Sequence, residues 1–251
     1  MTGERTDSLF FELFSGLPRQ GPGDAASTLR ALALVPPLGP RSRVLDVGCG
    51  TGSQTLVLAR ASPARLFAVD NHAPFVAELK RKAVALGLAG RVEACVGDMR
   101  QLGFAPGSFD LVWSEGAVYL AGFEAGLRDW CRLLAPGGHV AVTEVCWTRN
   151  SPPPECAAFW EQEYPAIRDV ADRLAAMAAC GYDTVGHFTL PASSWWDDYY
   201  RPLEAKLARF RDRHRGEDDA ESLADQVGRE IDVWRRFSAW YGYEFFVARA
   251  R

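Results

Sequence analysis

The sequence predicts an α/β fold built on a doubly wound sheet of seven strands. Three observations carry that expectation. From residue 43 onward, short β-branched runs alternate with longer stretches of helical apolar spacing, the signature of β-α units around a parallel sheet. The stretch VLDVGCGTGSQTLVLA, residues 44 to 59, packs three glycines into five positions between the first such strand and the first helix. And 251 residues suffice for one large domain with a sizeable core, or one domain with an appended cover.

Taken in order, SLFFELFSGLPRQGPG is expected to form an amphipathic helix and a Pro/Gly hinge, aromatic enough either to pack on the sheet edge or to act as a lid. Strands follow at residues 43–47, 65–69, 91–95, 109–113 and 139–145. A helix begins near Gly52, and a second, PFVAELKRKAVALG, ends at Gly87. In GFEAGLRDWCRLLAPGG, Leu127, Trp130 and Leu134 read as an inward stripe and Pro136-Gly137-Gly138 as the helix stop. After Pro152-Pro153-Pro154 come a helical stretch, a sixth strand in YDTVGHFTLP, two charged amphipathic helices in WWDDYYRPLEAKLARFRDRHRG and SLADQVGREIDVWRRFSAWYG, and a last strand in YEFFVARA. Between the two helices, HRGEDDA reads as a solvated loop, with His214 on the surface.

Composition narrows the function. Lys and Arg number 28 against 32 Asp and Glu, a formal charge of -4, so no basic excess draws the chain to nucleic acid. The six cysteines are widely spaced without a C-x-x-C pair, which suits free, mostly buried thiols in a reducing cytoplasm and gives a metal site little to stand on. No apolar run approaches the roughly 20 residues that span a bilayer, and no secretory leader is read, so a soluble, cytoplasmic protein is expected.

The glycine turn excludes two phosphate readings. The dinucleotide fingerprint G-x-G-x-x-G fails because Ser53 stands where its third glycine belongs, and a phosphate loop needs a lysine that is missing. Asp46, just before the glycines, would repel a pyrophosphate, so the ligand should carry positive charge or amine donors.

Asp46-x-Gly48-x-Gly50-x-Gly52 after a first strand, Asp70 at the end of the second and Gly97-Asp98-Met99 after the third together resemble class I methyltransferases that use S-adenosylmethionine. The string SEGAVYLAGFEAGLRDWCRLLAPGGHVAVTEVCW and the N-terminal ELFSGLPRQGPG are similar to a bacterial small-molecule subgroup. The resemblance implies a Rossmann-like sheet, mostly parallel with an antiparallel last strand and helices on both faces. It divides the single domain into an N-terminal helical lid (1–35), a cofactor-binding core (36–148) and a substrate-side cover (149–251). It also implies that Asp46, Gly48, Gly50, Gly52, Gln54, Asp70, Asn71, Asp98, Met99, Ser114 and Glu115 serve the cofactor. Asp46 would face the methionine ammonium, Asp70 both ribose hydroxyls, Asp98 the adenine amino group and the Met99 amide the ring.

Trp113-Ser114-Glu115-Gly116 replaces the Asn/Asp-Pro-Pro-Tyr/Phe motif of nucleic-acid and protein-amide methyltransferases, leaving Glu115 as a free carboxylate near the sulfonium. Glu115 and His72 are the candidate bases, although Glu115 could equally pin the lid and His72 pack on the adenosine. Phe11, Tyr119, Trp147, Tyr164 and Trp195, with Trp196, are the candidate walls of an acceptor pocket, a role core packing competes with. The expected function is methyl transfer to an O, N or S nucleophile of a small molecule by in-line displacement, without a metal, in a monomer or homodimer with no nucleic-acid or membrane partner. A protein methyltransferase or a non-catalytic cofactor-binding module is the alternative. A nicotinamide oxidoreductase is opposed by the glycine spacing.

Overall fold

The computed structural model describes residues 3–251. In chain order the elements are α1 (Gly3–Phe14), α2 (Ala25–Leu32), β1 (Arg43–Val47), α3 (Ser53–Ala61), β2 (Arg65–Asp70), α4 (Ala73–Ala85), β3 (Val92–Val96), β4 (Phe109–Ser114), a 3₁₀ turn (Val118–Ala121), α5 (Phe123–Cys131), β5 (Leu134–Trp147), α6 (Pro154–Glu163), β6 (Arg168–Asp169), α7 (Val170–Ala179), β7 (Tyr182–Thr189), α8 (Ala192–Trp195), a π-helical turn (Trp196–Tyr200), α9 (Arg201–Arg213), α10 (Asp218–Phe237) and β8 (Tyr241–Ala250).

The sheet runs β3-β2-β1-β4-β5-β8-β7. β1 pairs in parallel with β2 and β4, whereas β8 is antiparallel to both β5 and β7. This is the expected doubly wound, Rossmann-like sheet. An eighth strand, the two-residue β6, pairs with Cys146 and Trp147 at the end of β5. It is too short to leave a pattern in the sequence.

Strand alternation sends successive β1 residues to opposite faces. Val44 joins Leu56 and Leu58 of α3 and Val76 and Leu79 of α4 in one apolar cluster. Leu45 and Val47 join Leu127 and Trp130 of α5 and Met177 of α7 in another. A third cluster lies beyond the carboxyl ends of the strands, where Leu9 and Leu13 of α1 meet Leu203, Leu207 and Phe210 of α9 and Ile231 and Trp234 of α10. The N-terminal helix and the last two helices thus form one body above the sheet.

Four local expectations need correction. α5 ends at Cys131, well before Pro136, because Leu133 and Leu134 are already engaged by β4: the Phe109 amide donates to the Leu133 carbonyl and Phe109 registers with Leu134. Leu134 therefore packs from a strand, and Pro136-Gly137-Gly138 occupies an irregularity between the Phe109/Leu134 and Leu111/His139 pairs, where a proline's missing donor is tolerated. WWDDYYRPLEAKL is an interrupted helix in three pieces, with Pro202 in the first turn of α9 where no amide partner is needed. Only residues 214–217 of HRGEDDA form a connection, and His214 is buried there between Glu12 and Glu217, each 3.1 Å from a ring nitrogen. All six cysteines are free, and Cys95 differs from the buried majority in being exposed on the edge strand β3.

Among the described residues no helix is long and apolar enough to cross a membrane, and no group of three or more His, Cys, Asp or Glu residues is placed to hold a metal ion.

Candidate active site

The glycine turn folds back over the end of β2. The Val69 carbonyl accepts from the amides of Gly48 (2.8 Å) and Cys49 (3.1 Å), and the Asp70 carboxylate accepts from the Gly50 amide at 2.8 Å and from the His72 amide at 2.9 Å. Glycine is required at two of these positions. Gly48 has φ +74° and a Cβ there would lie 2.4 Å from the Ala117 Cβ. Gly52 has φ +87° and its Cβ would lie 2.1 Å from Leu79 Cδ1. The turn is therefore pressed between the loop after β4 and α4.

Asp46 is fully buried beneath this turn. It accepts from the Thr55 hydroxyl and, at 3.3 Å, from Gln54 Nε2, which also reaches the Cys49 carbonyl at 3.4 Å. Burial pushes the Asp46 carboxyl up to about 7 despite those bonds. Burial, with the charges of Asp46 and Asp70, also holds the Cys49 thiol well above its ordinary value, so Cys49 is no thiolate nucleophile.

A cavity of about 580 Å³ opens above the turn at the carboxyl ends of β1, β2, β3 and β4, where open α/β sheets bind ligands. Gly48, Gly50, Gln54, Asp70, Asn71, Asp98, Met99, Glu115, Phe11 and Tyr119 all border it. The loop carrying Asp98 is set by an Arg100 amide donating to Asp98 Oδ1 at 2.8 Å, by the Trp130 indole donating to the Met99 carbonyl at 3.2 Å and by the Arg100 guanidinium on the Leu120 carbonyl at 2.9 Å.

The remaining sequence-derived candidates lie off the cavity. Asp46 and Gly52 stand behind the turn, so Asp46 cannot touch a ligand's ammonium directly. Ser114 is buried with its hydroxyl on the Val47 carbonyl at 2.8 Å, tying β4 to β1. His72 lies flat against Phe11 of α1, ring centroids 3.6 Å apart and 6° from parallel, and burial lowers its pKa. Trp147 packs edge-on to Tyr241 at 6.5 Å, and Trp195 stacks on Trp234 at 4.3 Å. Trp196 packs beneath the Arg235 guanidinium at 4.8 Å. Tyr164 donates to Glu144 Oε1 at 2.6 Å and meets Tyr119 edge-on, one shell behind the cavity wall. Core packing absorbs these tryptophans, as it does most large aromatic side chains.

Glu115 is not a free carboxylate. It forms a buried ion pair with Arg19 and accepts from the Thr28 hydroxyl at 2.7 Å and the Trp113 indole at 2.9 Å. The α1–α2 connection, α2 and β4 thereby converge on one side chain. The connection from α1 to α2 is further fastened to the glycine turn: Thr51 donates its amide to Gln20 Oε1 at 3.0 Å, and the Ser53 hydroxyl donates to the Pro18 carbonyl at 2.7 Å. Arg19 and Gln20 border the cavity, although nothing within ELFSGLPRQGPG marks them individually as site residues. The signal available was the compact PRQGPG itself, polar residues between turn formers next to an aromatic helix.

Residues 44–138 match the family described as a methyltransferase domain. The sterol 24-C-methyltransferase erg-4 of Neurospora crassa is 28% identical over 182 residues, 66% of this chain and 46% of that protein. The demethylmenaquinone methyltransferase of Thermus thermophilus is 38% identical over 120 residues, 47% of this chain and 50% of that protein. The chain thus spans about half the length of these curated relatives. A crystal structure of an S-adenosylmethionine-dependent methyltransferase from Geobacter sulfurreducens, in complex with S-adenosyl-L-homocysteine, superposes with a TM-score of 0.79 at 23% identity, covering 98% of both chains. That likeness is one of fold.

Proposed function

We propose that the chain, whose residues 44–138 match a methyltransferase domain, is a class I S-adenosylmethionine-dependent methyltransferase that transfers a methyl group from this cofactor to a small-molecule acceptor held under its N-terminal segment. The observation that carries the proposal is the cavity itself. It joins a glycine turn with no room for side chains, two carboxylates at the ends of successive strands and an acidic bed with no phosphate-binding lysine.

The residues present fit the group. Asp70, fixed by the Gly50 and His72 amides, keeps acceptor capacity on both oxygens for a pair of ribose hydroxyls. Asp98 and the Met99 backbone would meet the adenine edge, and Asn71 lies beside Asp70 on the same wall. Gly48 and Gly50 let the backbone approach the ligand, while Gln54 carries the bracing of Asp46 to the cavity surface. The cofactor supplies an electrophilic methyl on a sulfonium, open to in-line displacement. The chain's part is to orient and to exclude water.

In this reading residues 1–35 act as a lid, latched by Arg19 on Glu115 and by Phe11 on His72. Glu115 and His72 are committed to the latch and are not free to serve as bases. The residues after 148 supply the acceptor side. The free thiols suit a reducing, cytoplasmic setting.

The experiment is turnover: formation of S-adenosyl-L-homocysteine from S-adenosylmethionine that depends on added small acceptors. Methyl label appearing only on a protein partner favours the protein-methyltransferase alternative, and cofactor binding without turnover on any acceptor favours the binding-module alternative.

A further inference from the structure

Past Gly116 the cavity wall continues into tyrosines that cofactor binding leaves without a task. Tyr243 of β8 sets its ring against that glycine: a Cβ on Gly116 would lie 3.5 Å from Tyr243 Cε2 and 3.7 Å from its hydroxyl. Tyr119 borders the cavity directly, with Tyr164 behind it at 5.8 Å. Tyr199 and Tyr200, ring centroids 4.8 Å apart, enter from the π-helical turn.

Glu230 of α10 lies among these rings. Its carboxylate accepts from the Tyr200 hydroxyl at 2.7 Å, and burial, with a smaller contribution from the Glu230 charge, raises the phenols of Tyr119, Tyr199, Tyr241 and Tyr243. That hydrogen bond is its only one among the described residues, and no Lys, Arg or His nitrogen lies within 4.0 Å of it. The neighbouring buried carboxylate, Glu144, is by contrast matched by Arg173 at 3.0 Å. Glu230 is deep enough for burial to raise its pKa, yet it keeps accessible surface, so it is not sealed in packed core. Among the described residues, further polar groups here have no partner: Glu144 Oε2, the Tyr241 hydroxyl and the indole nitrogen of Trp195, whose ring lies 4.8 Å from Tyr243.

A carboxylate held inside a protein without a cation is costly, and an aromatic enclosure attracts cations through the faces of its rings. We propose that the space walled by Tyr119, Tyr199 and Tyr243 and closed by Glu230 binds the cationic nitrogen head of the methyl acceptor, an amine or ammonium compound. The word acceptor rests on the methyl-transfer reading above; the cation site itself does not. A neutral polyol or a phenol would leave Glu230 uncompensated, and an anionic acceptor would be repelled by both carboxylates.

The test is calorimetric titration of the full chain with choline and with its neutral carbon isostere 3,3-dimethylbutan-1-ol, each with and without S-adenosyl-L-homocysteine. Saturable choline binding at least about tenfold tighter than the isostere is expected, because each tenfold step is one readable increment of differential affinity. Glu230→Gln, which keeps an acceptor for Tyr200, should lose about tenfold for choline and leave S-adenosyl-L-homocysteine affinity within about twofold. Tyr243→Leu should lose a similar amount and Tyr243→Phe almost none, since only the ring face is used. This pair tests the enclosure even if Glu230→Gln folds poorly. Equal affinity for choline and the isostere, or choline binding unchanged in both Glu230→Gln and Tyr243→Leu, overturns the proposal. Choline binding without nucleoside binding leaves the cation site standing and removes the cofactor reading; the reverse result removes the cation site alone.

Discussion

Arg19 and Glu115, 96 positions apart in the chain, form a buried ion pair that joins the connection after α1 to the loop after β4. Thr28 and Trp113 complete the shell around the Glu115 carboxylate, so the latch carries its own hydrogen bonds and sits on the cavity wall.

Breaking this pair should expose its structural character. Glu115→Gln strands the Arg19 guanidinium and is expected to cost about 3 to 5 kcal/mol of stability, the range for an uncompensated buried charge. Cofactor affinity should fall with it. Single-turnover methyl transfer at saturation should stay within about threefold of the unmodified chain, a barrier change of only about 0.65 kcal/mol. A loss of about 10² to 10⁴ in the saturated chemical step would instead make Glu115 a base. Denaturant unfolding and rapid-quench kinetics read the two effects separately.

Asp70→Ala removes the acceptor for the Gly50 and His72 amides as well as for any ribose hydroxyls. Binding should weaken by a few kcal/mol at most, hydrogen bonds to a charged acceptor being worth about 1.5 to 3 kcal/mol each. A 2′-deoxy analogue should lose affinity in the unmodified chain but little more in Asp70→Ala. Additive losses in that double cycle would place the ribose elsewhere.

Gly52→Ala should destabilise strongly while Gly87→Ala should not. Both have positive φ, costing an L side chain about 1 to 2 kcal/mol, but the new methyl meets Leu79 Cδ1 at 2.1 Å in the first case and nothing within 4 Å in the second. Overpacking should add about 1 to 3 kcal/mol for Gly52→Ala, read as the difference between the two unfolding free energies.

Asp46 gives the fold a pH dependence of definite sign. Its carboxyl is raised from 3.8 to about 7 by burial, so between those values the folded state holds a proton that the unfolded chain has released. Stability from this group is complete below pH 3.8, falls as pH rises toward 7 and is constant above. Glu144, raised from 4.5 to about 7, adds in the same direction. The slope approaches about 1.4 kcal/mol per pH unit for each group. Asp46→Asn should flatten the dependence between pH 5 and 7. A slope unchanged in that variant would place the proton elsewhere.

Much of the fold was legible because local pattern and global role coincide. The run ending at Asp46 alternates between two apolar clusters, and the glycines follow where β1 must turn, so strand, turn and helix were each marked within a dozen residues. The latch was only half legible. Glu115 could be read as pinning the N-terminal lid, but nothing around Arg19 marks it as the partner, and the helix Ala25–Leu32 that brings Thr28 to the carboxylate carries no distinctive pattern. Trp147 and Trp195 looked like pocket aromatics because residue type cannot say which side of a strand or helix faces ligand and which faces Tyr241 or Trp234. The early start of β5 was masked by helix-like spacing through Leu134, which long-range pairing with Phe109 overrode.

The most direct test of the account is a calorimetric titration of the purified chain with S-adenosyl-L-homocysteine. The account predicts one saturable site per chain at micromolar affinity, about 8 kcal/mol, weakened in Asp70→Ala. No binding of S-adenosyl-L-homocysteine or S-adenosylmethionine, with a nicotinamide dinucleotide binding in their place, would contradict it.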